Sequence, residues 1–254
     1  MGTLYSRCIG ALSSQGEYIF NLDNDDMYFN HNLFDSIYTI GKNENLDIIS
    51  FLAINIWNYS ANVINMQNLF SIQSPNEFYV KQPDLGMWMI KYKGKFVVHN
   101  NMIWDKCINS SLYKEAVNLM GFQEYSQYVS WAEDTSINFI IFKLAKSFKY
   151  TNKYGLVHFK GKNTASSTQS IYTKIFGDIF FLNIMLNFSS NNKKEKNLIV
   201  GQLFYIYKRY NYFKFNNDSN SYILKNIISK IITGDKFLSK LNKRKIKILF
   251  KSFF

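Results

Sequence analysis

Leu4, Cys8, Ile9 and Leu12 recur at helical spacing, which predicts an amphipathic helix over residues 3–13, closed by Gly16 as a left-handed cap. Tyr18 to Leu22 is a short apolar run rich in strand formers, expected to lie inside a sheet. The acidic stretch Asp23-Asn24-Asp25-Asp26 follows at its C-terminal end. Leu33, Phe34, Ile37 and Tyr38 mark a second helix, with Gly41 as its end. The nearly unbroken apolar run over residues 46–57 reads as a buried strand. Residues 74–95 carry both prolines and read as a long loop, and Val97 and Val98 start a further strand. Ser110 to Met120 is helical by pattern. Ser130-Trp131-Ala132-Glu133 has the form of a capping box, Ser-x-x-Glu, opening a helix with apolar positions Ile137, Ile140, Ile141 and Leu144. Tyr154 to Phe159 reads as a strand, and the polar stretch 160–170 as a boundary.

Strands alternating with helices over the first ~165 residues argue for an α/β sheet with ligands at strand C-termini. Two domains are expected: residues 1–165 as the sheet-bearing half, and residues 166–254 as a helical region. Charge sharpens that division. From Lys193 to Phe254 there are 15 Lys and Arg against 3 acidic residues, so the whole net charge of +12 belongs to the C-terminal quarter. Lys243-Arg244-Lys245 with Ile246, Ile248, Leu249, Phe250, Phe253 and Phe254 fits a basic amphipathic helix able to lie on an anionic membrane surface. A solvated helical extension accounts for the same residues. No sequence-specific nucleic-acid motif is present.

No stretch reaches the ~18 apolar residues of a membrane span; Ile175 to Phe188 is interrupted by Asp178, Asn183 and Asn187. Residues 1–16 lack the apolar centre of a secretory leader. Cys8 and Cys107 have no metal-ligand spacing and form no disulfide framework, which favours a reducing, cytoplasmic compartment, with a membrane-peripheral position open. The sequons at Asn58, Asn109, Asn187 and Asn217 are chance matches in a chain rich in Asn and Ser.

The chemistry concentrates in three places. Asp23, Asp25 and Asp26 at a strand mouth repel one another unless solvated or neutralised, and a hard divalent ion such as Mn²⁺ or Mg²⁺ takes carboxylate oxygens and bridges phosphates. An acidic loop capping the next helix is the plain alternative. Glu133 and Asp134 stand in a helix's first turn, where the macrodipole favours acids; that account covers Glu133 but calls for neither Trp131 nor a second acid. His158 sits in an apolar strand, where a satisfied core histidine is the commoner outcome and metal ligation the other.

The run Arg7, Gly10, Gly16-Glu17-Tyr18-Ile19, Leu22-Asp23, Asp25-Asp26 resembles the central signature of family 2 glycosyltransferases, with Cys8 standing where the family often has Asn. The likeness spans residues 2 to about 165; Trp104-Asp105-Lys106 and the Glu133–Asp134 segment carry its second half. It implies a GT-A sheet and a metal-dependent, inverting transfer of sugar from a nucleotide-diphospho-sugar to a glycan, lipid or protein acceptor. It also implies roles. Arg7, Asp23 and Asp25 would bind the donor, and Asp25 and Asp26 the metal; His158 is a further candidate metal ligand by its own chemistry alone. Asp134 would be the general base, with Glu133 beside it. Trp131 and Glu133 would contact the acceptor. The pattern begins in its middle, so a GT-A sheet lacking its N-terminal β-α units is expected. Two other readings stay open: an inactive remnant of the same fold, and a basic membrane-surface module acting through residues 193–254.

Overall fold

The structure is a computed structural model. It describes residues 2–57, 77–81, 89–92, 95–98, 102–121, 128–160, 169–190 and scattered positions from 195 to 206. The proposed basic helix at residues 243–254 lies outside them, as do Asn58 and Asn217. The chain divides into two compact units, Met1–Gln169 and Ser170–Phe254.

The first unit holds helices α1 (Thr3–Ser13), α2 (Leu33–Glu44), α3 (Ser110–Met120) and α4 (Glu133–Leu144). Its strands are β1 (Tyr18–Phe20), β2 (Met27–Tyr28), β3 (Ile48–Trp57), β4 (Phe78–Lys81), β5 (Met89–Tyr92), β6 (Lys95–Val98), β7 (Lys106–Asn109) and β8 (Ser147–Lys160). The main sheet runs β1-β7-β3-β8-β2, with β4 also on β8; β5 and β6 form a separate hairpin. β3 and β8 are parallel and the other pairings antiparallel. The fold is thus mixed α/β, as expected. In the second unit, α5 (Ile171–Phe188) starts at Ser170, whose hydroxyl accepts the Thr173 N–H at 3.2 Å. Among the described residues no helix is long and apolar enough to cross a membrane.

Several local expectations need correction. Strand β1 lies at the edge of the main sheet instead of inside it, because among the described residues β7 is its only partner. Helix α1 ends at Ser13 with an extended Ser14 as cap, so Gly16 serves no left-handed closure. Helix α2 runs past Gly41 to Glu44 and closes on Asn45 in the left-handed region. Gly41 is instead a packing position, where a Cβ would stand 2.8 Å from the Tyr18 ring. The stretch 74–95 contains strands β4 and β5, and Val97 and Val98 end β6. Lys106–Asn109 forms a central strand that its short, mixed pattern hides.

The core under the sheet gathers Leu33, Ile37, Leu46, Ile49, Phe51, Trp104, Cys107 and Leu156. Both cysteines are free and buried, and burial pushes the Cys8 thiol up to about 12 against the pull of Arg7. Buried Leu4, Cys8 and Ala11 give α1 its inward face. Asn109 caps α3, accepting the N–H groups of Ser111 at 3.0 Å and Leu112 at 3.4 Å.

Helix α2 meets β8 where β8 has no side chain. A Cβ on Gly155 would come within 2.2 Å of a Leu33 methyl, a distance no packed pair tolerates. The β3–β8 register shifts in this region, between Leu52↔Tyr154 and Ala53↔Leu156. We therefore expect Gly155→Ala to lower unfolding stability by about 1–3 kcal/mol through overpacking. Leu33→Ala, a cavity-forming change alone, should recover part of that loss when combined with it. Denaturant titration of the two single variants and the double variant measures both effects.

Candidate functional site

The acidic stretch folds as a turn, with the Asp26 N–H donating to the Asp23 carbonyl at 3.1 Å. Just before it, Asn21 is held from both sides. Its side-chain oxygen accepts the Tyr113 hydroxyl at 3.1 Å, and its carbonyl accepts the Tyr28 hydroxyl at 2.9 Å. The end of β1 is thereby fixed. One carboxylate oxygen from each of Asp23, Asp25 and Asp26 lies within 4.8 Å of the others. Three hard oxygen donors at such separations suit a divalent ion of the Mn²⁺ or Mg²⁺ kind. The donor set fits the group that the motif implies.

Asp25 is exposed, whereas the side chain of Asp26 has no exposed surface. Register explains the difference. β2 pairs antiparallel with β8, Met27 opposite Val157, which sets Asp26 beside His158. The Asp26 carboxylate lies 2.8 and 2.9 Å from His158 Nδ1 and accepts the Phe159 N–H at 3.1 Å. His158 thus stands behind Asp26; the acidic group that could hold a metal comprises Asp23, Asp25 and Asp26. The other side of the imidazole is covered by Trp104, stacked at 4.7 Å with an interplanar angle of 20°.

Arg7 joins the two acidic constellations. Its guanidinium forms ion pairs with both Asp23 and Asp134, and only 10% of its side chain is exposed. Two charge-assisted contacts across one guanidinium place those carboxylates within about 8 Å of each other. Arg7 is turned inward, between the acids. The second Asp134 oxygen faces the Ile103 N–H at 3.4 Å. Glu133 is half-buried; burial pushes its carboxyl above the usual range, Arg7 pulls it back, and Asp23 adds to the rise.

The capping box is not formed. Helix α4 begins at Glu133 with Ala132 as N-cap, no side chain caps it, and the Ser130 carbonyl instead accepts the Gln169 amide. Ala132 adopts φ 57°, ψ 17°, a left-handed conformation that costs an alanine about 1 kcal/mol or more. Glu133 therefore owes its place to something other than a reciprocal cap. Trp131 is half-buried just before this kink. Both acids stand in the first turn of α4, where the helix dipole favours them.

The turn 102–106 was not expected as part of the site. Lys106 is fully buried; its ammonium donates to the Met102 carbonyl and to the Asp105 carboxylate. Burial lowers the Lys106 pKa, and Asp105 opposes that shift. Trp104-Asp105-Lys106 was visible as a motif, but its three residues gave no sign of which side chains they would touch.

No protein-family model matches the chain, and no curated protein matches it. Among solved structures 22 chains match. One is a crystal structure of S. aureus TarS 1-349, with 15% identity and a TM-score of 0.42, covering 82% of this chain and 60% of that one. This chain thus spans about three-fifths of the TarS chain it is compared with. A likeness of that extent identifies no substrate and no chemistry.

The raised Glu133 pKa has a consequence for stability. Below the ordinary value of 4.5 the carboxyl is protonated in both folded and unfolded chains and costs nothing. Above its raised folded value it is charged in a half-buried place, and the fold bears that penalty. Glu133→Gln should therefore melt higher than the parent at about pH 7.5, with the gain fading as pH falls toward 4.5. Thermal melts of both proteins across that range check the sign.

Proposed function

We propose that this chain is a metal-dependent, inverting glycosyltransferase, taking a sugar from a nucleotide-diphospho-sugar to an acceptor hydroxyl. The observation that carries the reading is Arg7 paired with both Asp23 and Asp134. Two acidic motifs far apart in sequence converge on one guanidinium, as they must if one donor and one acceptor meet between them. The signature around Arg7 and residues 16–26 supplies the reaction class.

Asp25 is the exposed member of the acidic cluster and the first to reach an incoming ion; Asp23 and Asp26 complete the set. A divalent cation held by these carboxylates would offset the charge that gathers on a departing diphosphate. Asp134 takes the proton of the acceptor hydroxyl as that oxygen bonds to the anomeric carbon, and the electron pair of the broken bond leaves with the diphosphate. Attack from the face opposite the leaving group inverts the centre. Arg7 offsets the repulsion between Asp23 and Asp134 and holds both in place. Trp131 and Glu133, which flank the left-handed Ala132, are the residues this reading assigns to the acceptor.

One observation favours a second reading, an inactive remnant that keeps the carboxylates. Both oxygens of Asp134 are engaged, one by Arg7 and one by the Ile103 N–H. A base must release one of them to meet its acceptor, and catalytic geometry often tightens only with substrate bound. Mn²⁺-dependent binding of a sugar nucleotide without turnover would select the remnant.

Two substitutions test the assignment. Asp25→Asn should abolish Mn²⁺ binding, since it removes a charged ligand and leaves a single amide oxygen; equal calorimetric affinity in both proteins would remove Asp25 from the ligand set. Asp134→Asn should leave donor binding nearly intact and cut turnover by roughly 10²–10⁴. If Asp134 were only a favoured first-turn charge, its loss would cost about 0.3–1 kcal/mol of stability and little turnover. Initial rates measured beside melting temperatures separate the two.

A further inference from the structure

The acidic cluster contains one carboxylate whose direction is set entirely from behind. Asp26 has a fully buried side chain and is held by the Phe159 N–H and by His158 Nδ1. The Phe159 N–H belongs to the backbone of β8 and cannot turn. The imidazole can, so the aim of Asp26 depends on what holds the ring. That support is Trp104, only 4% exposed, with its ring stacked on the imidazole.

Trp104 is itself unusually well anchored. Its neighbour Asp105 offers its carbonyl to the Phe51 N–H at 3.0 Å and to the Ser50 hydroxyl at 3.3 Å, which ties the turn to β3. The Lys106 N–H donates to the Ile103 carbonyl at 3.3 Å, and the Lys106 ammonium closes on Met102 and Asp105. Taking an ammonium out of water costs several kcal/mol even when it is paired. Packing alone would be served at lower cost by an apolar side chain. What the buried pair supplies is a turn with one geometry, and that turn carries the ring that faces His158.

We infer that Trp104 is a positioning residue for the acidic cluster, acting through His158 on Asp26; this deepens the reading of residues 23–26 as a divalent-cation site and rests on it. Partners that orient a ligand from behind are worth 10- to 100-fold in metal affinity. Trp104 acts one step further back, so a loss of about tenfold is expected when its ring is removed.

The probe is Mn²⁺ alone, titrated calorimetrically into the full chain, with circular dichroism and melting temperature recorded for every variant. Trp104→Met keeps bulk without a π face, and Trp104→Phe keeps a smaller π face in case the first variant does not fold. Met should weaken Mn²⁺ binding by about tenfold and Phe by less. In a His158→Gln background the same Trp104 changes should add no further loss, because the intermediary is gone. A merely structural tryptophan would lower the melting temperature and leave the affinity of the folded protein unchanged. Parent-like affinity in the folded Trp104 variants overturns the inference. So does a loss that adds fully to that of His158→Gln. If the parent binds no Mn²⁺, or binds it as well with Asp25→Asn, the cation site itself fails and the inference falls with it. Parent binding that depends on Asp25 but not on Trp104 sinks the inference alone.

Discussion

A guanidinium held between two carboxylates is the contact on which this site depends. Asp23 at the end of β1 and Asp134 at the start of α4 would repel each other if brought together alone. Arg7, carried on α1, makes their approach favourable and is itself almost wholly withdrawn from water. The demand reaches back into the fold. Leu4, Cys8 and Ala11 bury one face of α1, and the Leu4 N–H donates to the Val129 carbonyl just ahead of the second acidic segment. The same helix therefore serves the core with one stripe and the site with Arg7.

The acidic cluster is built with unequal members. Asp25 faces water, Asp23 shares Arg7, and Asp26 is drawn inside by the pairing of β2 with β8. A carboxylate without exposed surface needs hydrogen-bond partners, since an uncompensated buried charge costs several kcal/mol. His158 and the Phe159 N–H provide them. Behind these lies a second buried charge pair, Asp105 and Lys106, in the turn that also brings Trp104 to His158 and the Ile103 N–H to Asp134. A buried ion pair of this kind adds little net stability compared with well-packed apolar residues.

Backbone strain falls at the same place. Ala132 is one of two described non-glycine residues with positive φ, and it immediately precedes Glu133 and Asp134. The other, Asn45, is an ordinary helix closure by a residue type that tolerates it. An alanine has no such excuse, and strain of this kind persists only where surrounding structure imposes it. With the kink at Ala132, α4 begins at Glu133 and both acids stand in its first turn.

How much of this was legible beforehand differs by level. The limits of α1 and α3, and the existence of β3, β8 and α4, follow from periodicity, because an apolar stripe or run must find a core. The acidic run and the Glu133–Asp134 pair were visible as chemistry, because like charges packed at a strand mouth or a helix start require a reason. The missed elements β2, β4, β5 and β7 are short strands made by pairing, which a window of residues does not contain. The capping box failed for a related reason: Ser130 and Glu133 have suitable side chains, but Ala132 turns left-handed and α4 starts only at Glu133, so the two never stand as N-cap and N3 of one helix. The primary sequence by itself determined which side chains could bind an ion, bear a charge or fill a core. The tertiary structure alone decided which of them meet. Arg7 joins Asp23 to Asp134, and His158 meets Asp26, because strand register and helix docking bring together residues that no local pattern connects.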